Sequence, residues 1–321
     1  MHVVAILTNP GILGILILFL AVLWMLRDQS DKTRPLLVFA LGLNLFYGFL
    51  LTVFLGREGS LFPLKYDQVL FHLDESLGVR AADIAPFLQG QWRFPLWVIY
   101  QSMVPMMICW FLVIRYSNHR GSIVLAYVAA LVAGPLTYTI VPACGPIYAF
   151  GARWLQPVSP PIATMQLAGL PNAFPSLHVA TALVFVLLAP GRLWRTVSLV
   201  FLAATCMATV ATGEHYVIDL IPGLAFGVFA GSIGLKSYRW GMIFLGIVCC
   251  WSAAVRFGFL FLIRHPIVTR SSAALTVSLV VFRVWKVWSE NSDLAPTPDI
   301  AQEAGPALPV SPEIELRQNN C

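Results

Sequence analysis

Long apolar runs constrain this chain more than any other feature of its sequence. They lie at 9–26, 35–55, 95–115, 122–142, 176–191, 196–212, 217–235, 240–262 and 271–287, with Arg256 and Arg283 interrupting the last two. The hydrocarbon core of a bilayer takes roughly 17–25 helical residues to cross. Inside it every backbone N–H and C=O must find an internal partner, and a continuous apolar run does so as a helix. Only 11% of the 321 residues are charged and 58% are hydrophobic, whereas soluble domains carry about 25% charged residues. A soluble globule is therefore excluded. The expected fold class is all-α, a polytopic membrane helix bundle in which a core of about six helices carries the polar motifs and extra helices sit at the termini.

The expected organisation follows from these runs. Transmembrane helices occupy 1–60, an interfacial amphipathic segment 61–94, the core 95–240, and further transmembrane helices 241–289. In 290–321 the chain turns Pro-rich and polar and reads as a disordered tail. Within 61–94, Val69, Leu70, Leu73 and Leu77 recur at helical spacing. They read as a helix lying on the interface, with a plain loop as the alternative. The six cysteines show no CxxC spacing and mostly fall inside apolar runs, where they act as small packing residues.

Charge sets the sidedness. Arg27, Lys32, Arg34, Arg115, Arg120, Arg192, Arg195, Lys236 and Arg239 all fall in connections on one side of the run list. The positive-inside rule makes that side cytoplasmic, and it explains the net charge of +5 without a nucleic-acid partner. The loops 56–94, 143–175 and 213–216 then face outward.

Two stretches stand out at that outer side: PNAFPSLHV at 171–179 and GEHYVIDLIPG at 213–223. An ionisable side chain in a membrane segment costs about 2.5–3.5 kcal/mol on insertion scales, so it points to function. Asp219 follows His215 by one helical turn, and a carboxylate there can accept from one imidazole nitrogen and leave the other as a base or nucleophile. Between His178 and His215 the chain runs through a helix, the expected turn GRLWR and a helix back, which returns both histidines to one membrane face. Pro175 stops any preceding helix, and Ser176 can cap the next one, whose free amides suit a phosphate oxygen. The plainer alternative is an ordinary N-cap beside a structural His–Asp pair.

PSLH followed by HYVID resembles the second and third motifs of the type 2 phosphatidic acid phosphatase/haloperoxidase superfamily. The membrane branch with the inositolphosphorylceramide and sphingomyelin synthases looks closest, because it also uses His-Tyr-x-x-Asp. VPACGPIYAF at 141–150 lies where that branch carries a Pro- and Cys-containing first motif. YDQVLFHLDESLG adds to the likeness, which covers about 66–231. The resemblance implies that His215 attacks phosphorus to form a phosphohistidine, that Asp219 orients it, and that His178 protonates the leaving alkoxide. It implies that Ser176 holds phosphate oxygens.

The departures from the phosphatase branch are informative. That branch carries a lysine and an Arg-Pro in its first motif and an arginine six residues before the nucleophile. Here the last position is Thr209. Fewer cations favour a phosphodiester monoanion over a monoester dianion. The implied reaction is head-group transfer of an inositolphosphate type between phospholipid or sphingolipid substrates, with a lipid phosphate monoester phosphatase as the alternative. Arg93, Arg153 and Lys65 are the candidates to replace the missing cations. No cofactor and no metal are expected, and protein partners cannot be read. A transporter would place its ionisable groups at a midplane site between repeats, which this chain lacks; a non-catalytic scaffold remains the other class.

Overall fold

The computed structural model describes residues 53, 55–57, 59–114, 120–156 and 159–290. The run 9–26, nearly all of 35–55, the basic residues Arg27, Lys32, Arg34 and Arg115, and the tail from 291 lie outside them. The described chain is all-α apart from one short antiparallel pair, β1 (Leu64–Lys65) against β2 (Met165–Gln166). Residues 53, 55–57 and 59–61 are helical, and after β1 come α1 (Asp67–Leu77), the one-turn helix Ala81–Ile84, α2 (Arg93–Gln101), α3 (Met103–Ile114), α4 (Arg120–Ile140) and the short α5 (Pro146–Phe150). After β2 come α6 (Leu177–Leu188), α7 (Gly191–Ala211), α8 (Val217–Gly234), α9 (Tyr238–Arg264) and α10 (Pro266–Glu290).

Among the described residues five helices, α4 and α7–α10, are long and apolar enough to cross a membrane. Two expected spans differ. The run 95–115 is broken at Ser102 into α2 and α3. Met106 N–H reaches back to the Ser102 carbonyl, whereas Pro105 has no N–H to continue the ladder across the break. The run 176–191 contains the 12-residue α6, about 18 Å at 1.5 Å per residue, too short to cross alone. GRLWR is no turn; it is the start of α7, and the connection is Ala189–Pro190.

The bundle is built around α8. In α8, 78% of the spanning window is buried, against 28% in α9 and 28% in α10. Gly223, Gly227 and Gly231 recur every fourth residue and so form one stripe along the helix. A Cβ on them would stand 2.7 Å from the Ser176 carbonyl oxygen, 2.6 Å from that of Ala180 and 2.6 Å from Leu187 Cδ1. Small residues at that spacing let two backbones approach closely, where dispersion replaces the absent hydrophobic drive. Phe185, Phe226, Phe244, Leu183 and Trp110 fill the space around this contact. The α6–α8 contact fixes the height of Ser176: its N–H donates to the Asp219 carbonyl at 3.1 Å.

The stripe of Val69, Leu70, Leu73 and Leu77 does form a helix, α1, and it is turned onto protein. It packs on α8, α9 and α10, with Val69, Leu70 and Leu73 fully buried. Two buried carboxylates explain that placement. Asp67 accepts the amides of Cys144 (3.1 Å) and Gly145 (2.8 Å) and the Tyr216 hydroxyl (3.2 Å). Asp74 accepts those of Ile218 (2.7 Å), Val217 (3.0 Å) and Ala81 (3.3 Å). Burial still pushes the Asp67 carboxyl up to about 6, although those amides favour its charged form. α1 thus satisfies amides at the start of α8 that no helical carbonyl can reach.

Arg120, Arg192, Arg195, Lys236 and Arg239 all lie at one end of the bundle, at the starts of α4 and α7 and the α8–α9 connection. The start of α6, the end of α7 and the start of α8 lie at the other.

Candidate active site

Ser176 is the N-cap of α6. Its backbone is extended (φ −69°, ψ 104°), and its Oγ accepts the Val179 N–H at 3.5 Å. His178 lies two residues further on, in the first turn. Its ring stacks on Tyr100 of α2, with centroids 4.2 Å apart and planes at 22°. On the other side it meets His215 edge to face, at 6.0 Å and 67°.

His215 reaches that position because the chain folds back after α7. The 21 residues of α7 would carry it about 31 Å, well beyond the start of the shorter α6. Instead Glu214 N–H and His215 N–H both donate to the Thr209 carbonyl, at 3.2 Å each. Gly213 makes this reversal with φ +74°, and a Cβ there would strike Trp154. Gly145 comes in from the 143–145 loop with φ +101°, where a Cβ would stand 2.2 Å from the Glu214 carbonyl oxygen. No side chain fits between that loop and the histidine turn.

His215 is buried and its Nδ1 lies 2.8 Å from the Ala173 carbonyl oxygen. A carbonyl only accepts, so Nδ1 carries the proton and Nε2 keeps a free lone pair. Burial holds the imidazole down at about 4, with Glu214 and the Ala173 carbonyl partly opposing, so the ring is neutral at neutral pH. The sequence points to Asp219 as the acceptor of that proton, but Asp219 Oδ2 is 3.6 Å from Nδ1, beyond hydrogen-bond range. That oxygen instead accepts the Tyr216 N–H at 2.8 Å and caps α8 from within. Its other oxygen, Oδ1, is buried without a hydrogen-bond partner among the described residues.

Ser176, His178, His215 and Asp219 are therefore brought together, and the cations are not. Arg93 opens α2 and Arg153 lies in the turn Gly151–Leu155; both are exposed, and neither side chain hydrogen-bonds a described residue. Lys65 is buried, and its Nζ donates to the Phe62 and Gly59 carbonyls. Thr209 is buried too, its hydroxyl turned to the Cys206 carbonyl.

Three further residues stand beside the pair: Tyr100, Tyr148 and Glu214. Tyr100 comes from a stretch with no other mark of function. Tyr148 Oη donates to Glu214 Oε1 at 2.9 Å, and the Tyr100 hydroxyl lies near the same carboxylate. Burial raises the Glu214 carboxyl above its ordinary value, and Tyr148 is pushed up to about 12. Glu214, as the neighbour of His215 and one of two acids between Asp83 and Glu290, and Tyr148, inside the stretch VPACGPIYAF, are visible in the sequence; the stacking of Tyr100 on His178 is not. No group of three or more His, Cys, Asp or Glu among the described residues is arranged to hold a metal ion.

Residues 68–233, just over half of the chain, match the family model described as the PAP2 superfamily. No curated protein and no solved structure matches the chain.

Proposed function

The chain belongs to the PAP2 superfamily, and from that premise we propose that it is an integral-membrane lipid phosphotransfer enzyme, metal-independent and working through a phosphohistidine. His215 Nε2 forms the N–P bond as the P–O bond to the leaving group breaks, and the leaving oxygen takes a proton from His178. An acceptor hydroxyl then returns a proton to His178 as its oxygen attacks phosphorus and frees His215. Ser176 and the first amides of α6 hold phosphate oxygens, and Arg93 and Arg153 meet the substrate at the mouth of the site. Asp219 acts by charge at 3.6 Å and by holding the Tyr216 backbone.

The observation that carries this reading is the neutral His215, its Nε2 lone pair free, standing edge to face with His178 at 6.0 Å. Substrate charge supports the finer choice. Thr209 and Lys65 are turned away, and Glu214 adds negative charge beside His215. A monoester dianion would find little compensation there, so a phosphodiester monoanion is favoured, as in moving an inositolphosphate-type head group between lipids. The site faces the extracytoplasmic side, because the basic connections lie at the opposite end.

The purified protein with inositol-labelled phosphatidylinositol and a lipid alcohol, ceramide or diacylglycerol, tests the choice. Label appearing on the acceptor lipid identifies a transferase. Inorganic phosphate released from a lipid phosphate, with no label transferred, identifies a phosphatase instead.

A further inference from the structure

His178 makes no hydrogen bond to a described residue, so nothing of that kind fixes its ring. The imidazole torsion is broad and roughly two-fold when unconstrained, yet a proton donor must point at one oxygen. What lies against the ring is Tyr100, near-parallel at 4.2 Å. The Tyr100 hydroxyl lies near Glu214, which accepts from Tyr148 and precedes His215 in the chain.

We propose that Tyr100 is a positioning residue for His178. Its ring face, near-parallel at 4.2 Å, sets the imidazole plane. The proposal rests on the acid role of His178 given above, and its test separates the two. An alkoxide leaving group needs a proton as it departs, whereas 4-nitrophenolate leaves without one.

First-turnover release of ethanol from hexadecyl ethyl phosphate and of 4-nitrophenolate from hexadecyl 4-nitrophenyl phosphate, which precedes the step in which His178 takes a proton, is compared on wild-type, Tyr100→Leu, Tyr100→Phe and His178→Ala protein. Tyr100→Leu should lower that rate about tenfold or more on the ethyl ester and less than about twofold on the nitrophenyl ester. Tyr100→Phe, which keeps the ring face, should stay within about twofold of wild type on both esters. His178→Ala should show the same selectivity on a larger scale. If Tyr100→Leu lowers both esters alike while His178→Ala discriminates, the stack is structural and the positioning role is wrong. If His178→Ala lowers both alike, or the wild type cleaves neither, the acid role fails and the proposal with it. Should Tyr100→Leu not fold, Tyr100→Met, which fills a similar volume without a ring face, is read by the same criteria.

Discussion

His178 and His215 meet edge to face with ring centroids 6.0 Å apart, each held by a different device. His178 is set by the glycine-lined contact of α6 with α8, which fixes the height of Ser176. His215 is set by a reversal after α7 that hangs two amides on the Thr209 carbonyl and one ring nitrogen on Ala173. The proton on Nδ1 is thereby spoken for, and Nε2 is left free.

Removing either ring should stop turnover without unfolding the protein. His215→Ala is expected to lose at least about 10³-fold in kcat and His178→Ala about 10²-fold or more. Asp219→Asn should lose less than either, since the Ala173 carbonyl still holds the His215 tautomer. Turnover of matched lipid substrates, with elution profiles as the folding control, checks the order. A His178→Ala protein of near-normal rate on an alkyl ester would remove its assigned role.

The glycine contacts give a packing prediction. Gly227→Ala sets a methyl 2.6 Å from the Ala180 carbonyl oxygen, so α6 and α8 must separate. Overpacking of that kind costs about 1–3 kcal/mol, and the melting temperature in detergent should fall together with activity. Gly145→Ala meets the Glu214 carbonyl at 2.2 Å in a backbone conformation that favours glycine. It should lose more activity than Gly227→Ala, because it displaces the histidine turn directly. An unchanged Gly145→Ala enzyme would contradict this.

Much of this was legible in the sequence, for physical reasons. Apolar run length indicates most of the helices because a bilayer admits little else; the return distance between the two motifs assumes two equal crossings, whereas α6 has 12 residues and α7 has 21, and the reversal after α7 makes up the difference. The hydrogen bond from His215 was misplaced because a backbone carbonyl, that of Ala173, carries no residue signature, while Asp219 one turn away does. The burial of α1 was missed because Asp67 and Asp74 look like exposed acids until the amides they accept come into view. Tyr100 carries no signal, and Tyr148, though inside VPACGPIYAF, is not marked as a partner of Glu214, because ring stacking and phenol bonds impose no spacing. Lys65 is a candidate cation in the sequence, but in the structure its ammonium is folded onto the Phe62 and Gly59 carbonyls.

The buried imidazole predicts a pH response. With His215 held at about 4 rather than its ordinary value, Nε2 stays unprotonated as pH falls through the usual histidine range, and protonates only near 4. Substrate-protected carbethoxylation of His215, followed by mass spectrometry of the peptide, should stay level from about pH 7 to about pH 5 and fall below that. A midpoint at the ordinary histidine value would mean that the ring is solvated.

Sidedness is testable by labelling in intact cells, in a background with Cys249 and Cys250 replaced. Ala152→Cys, exposed in the turn beside Trp154, should react with a membrane-impermeant maleimide. Arg192→Cys, exposed at the opposite end, should react only after permeabilisation. The reverse pattern would place the histidine pair on the cytoplasmic face and change the lipid pool it meets.

The most direct measurement concerns the covalent intermediate. Protein incubated briefly with a phosphorus-32-labelled phosphodiester lipid and quenched in alkali should retain label on the peptide containing His215. That label should be released by acid, chased by an acceptor alcohol, and absent from His215→Ala. Label on another residue, or rapid turnover with no alkali-stable phosphoprotein even when His178→Ala slows the later step, would contradict the account.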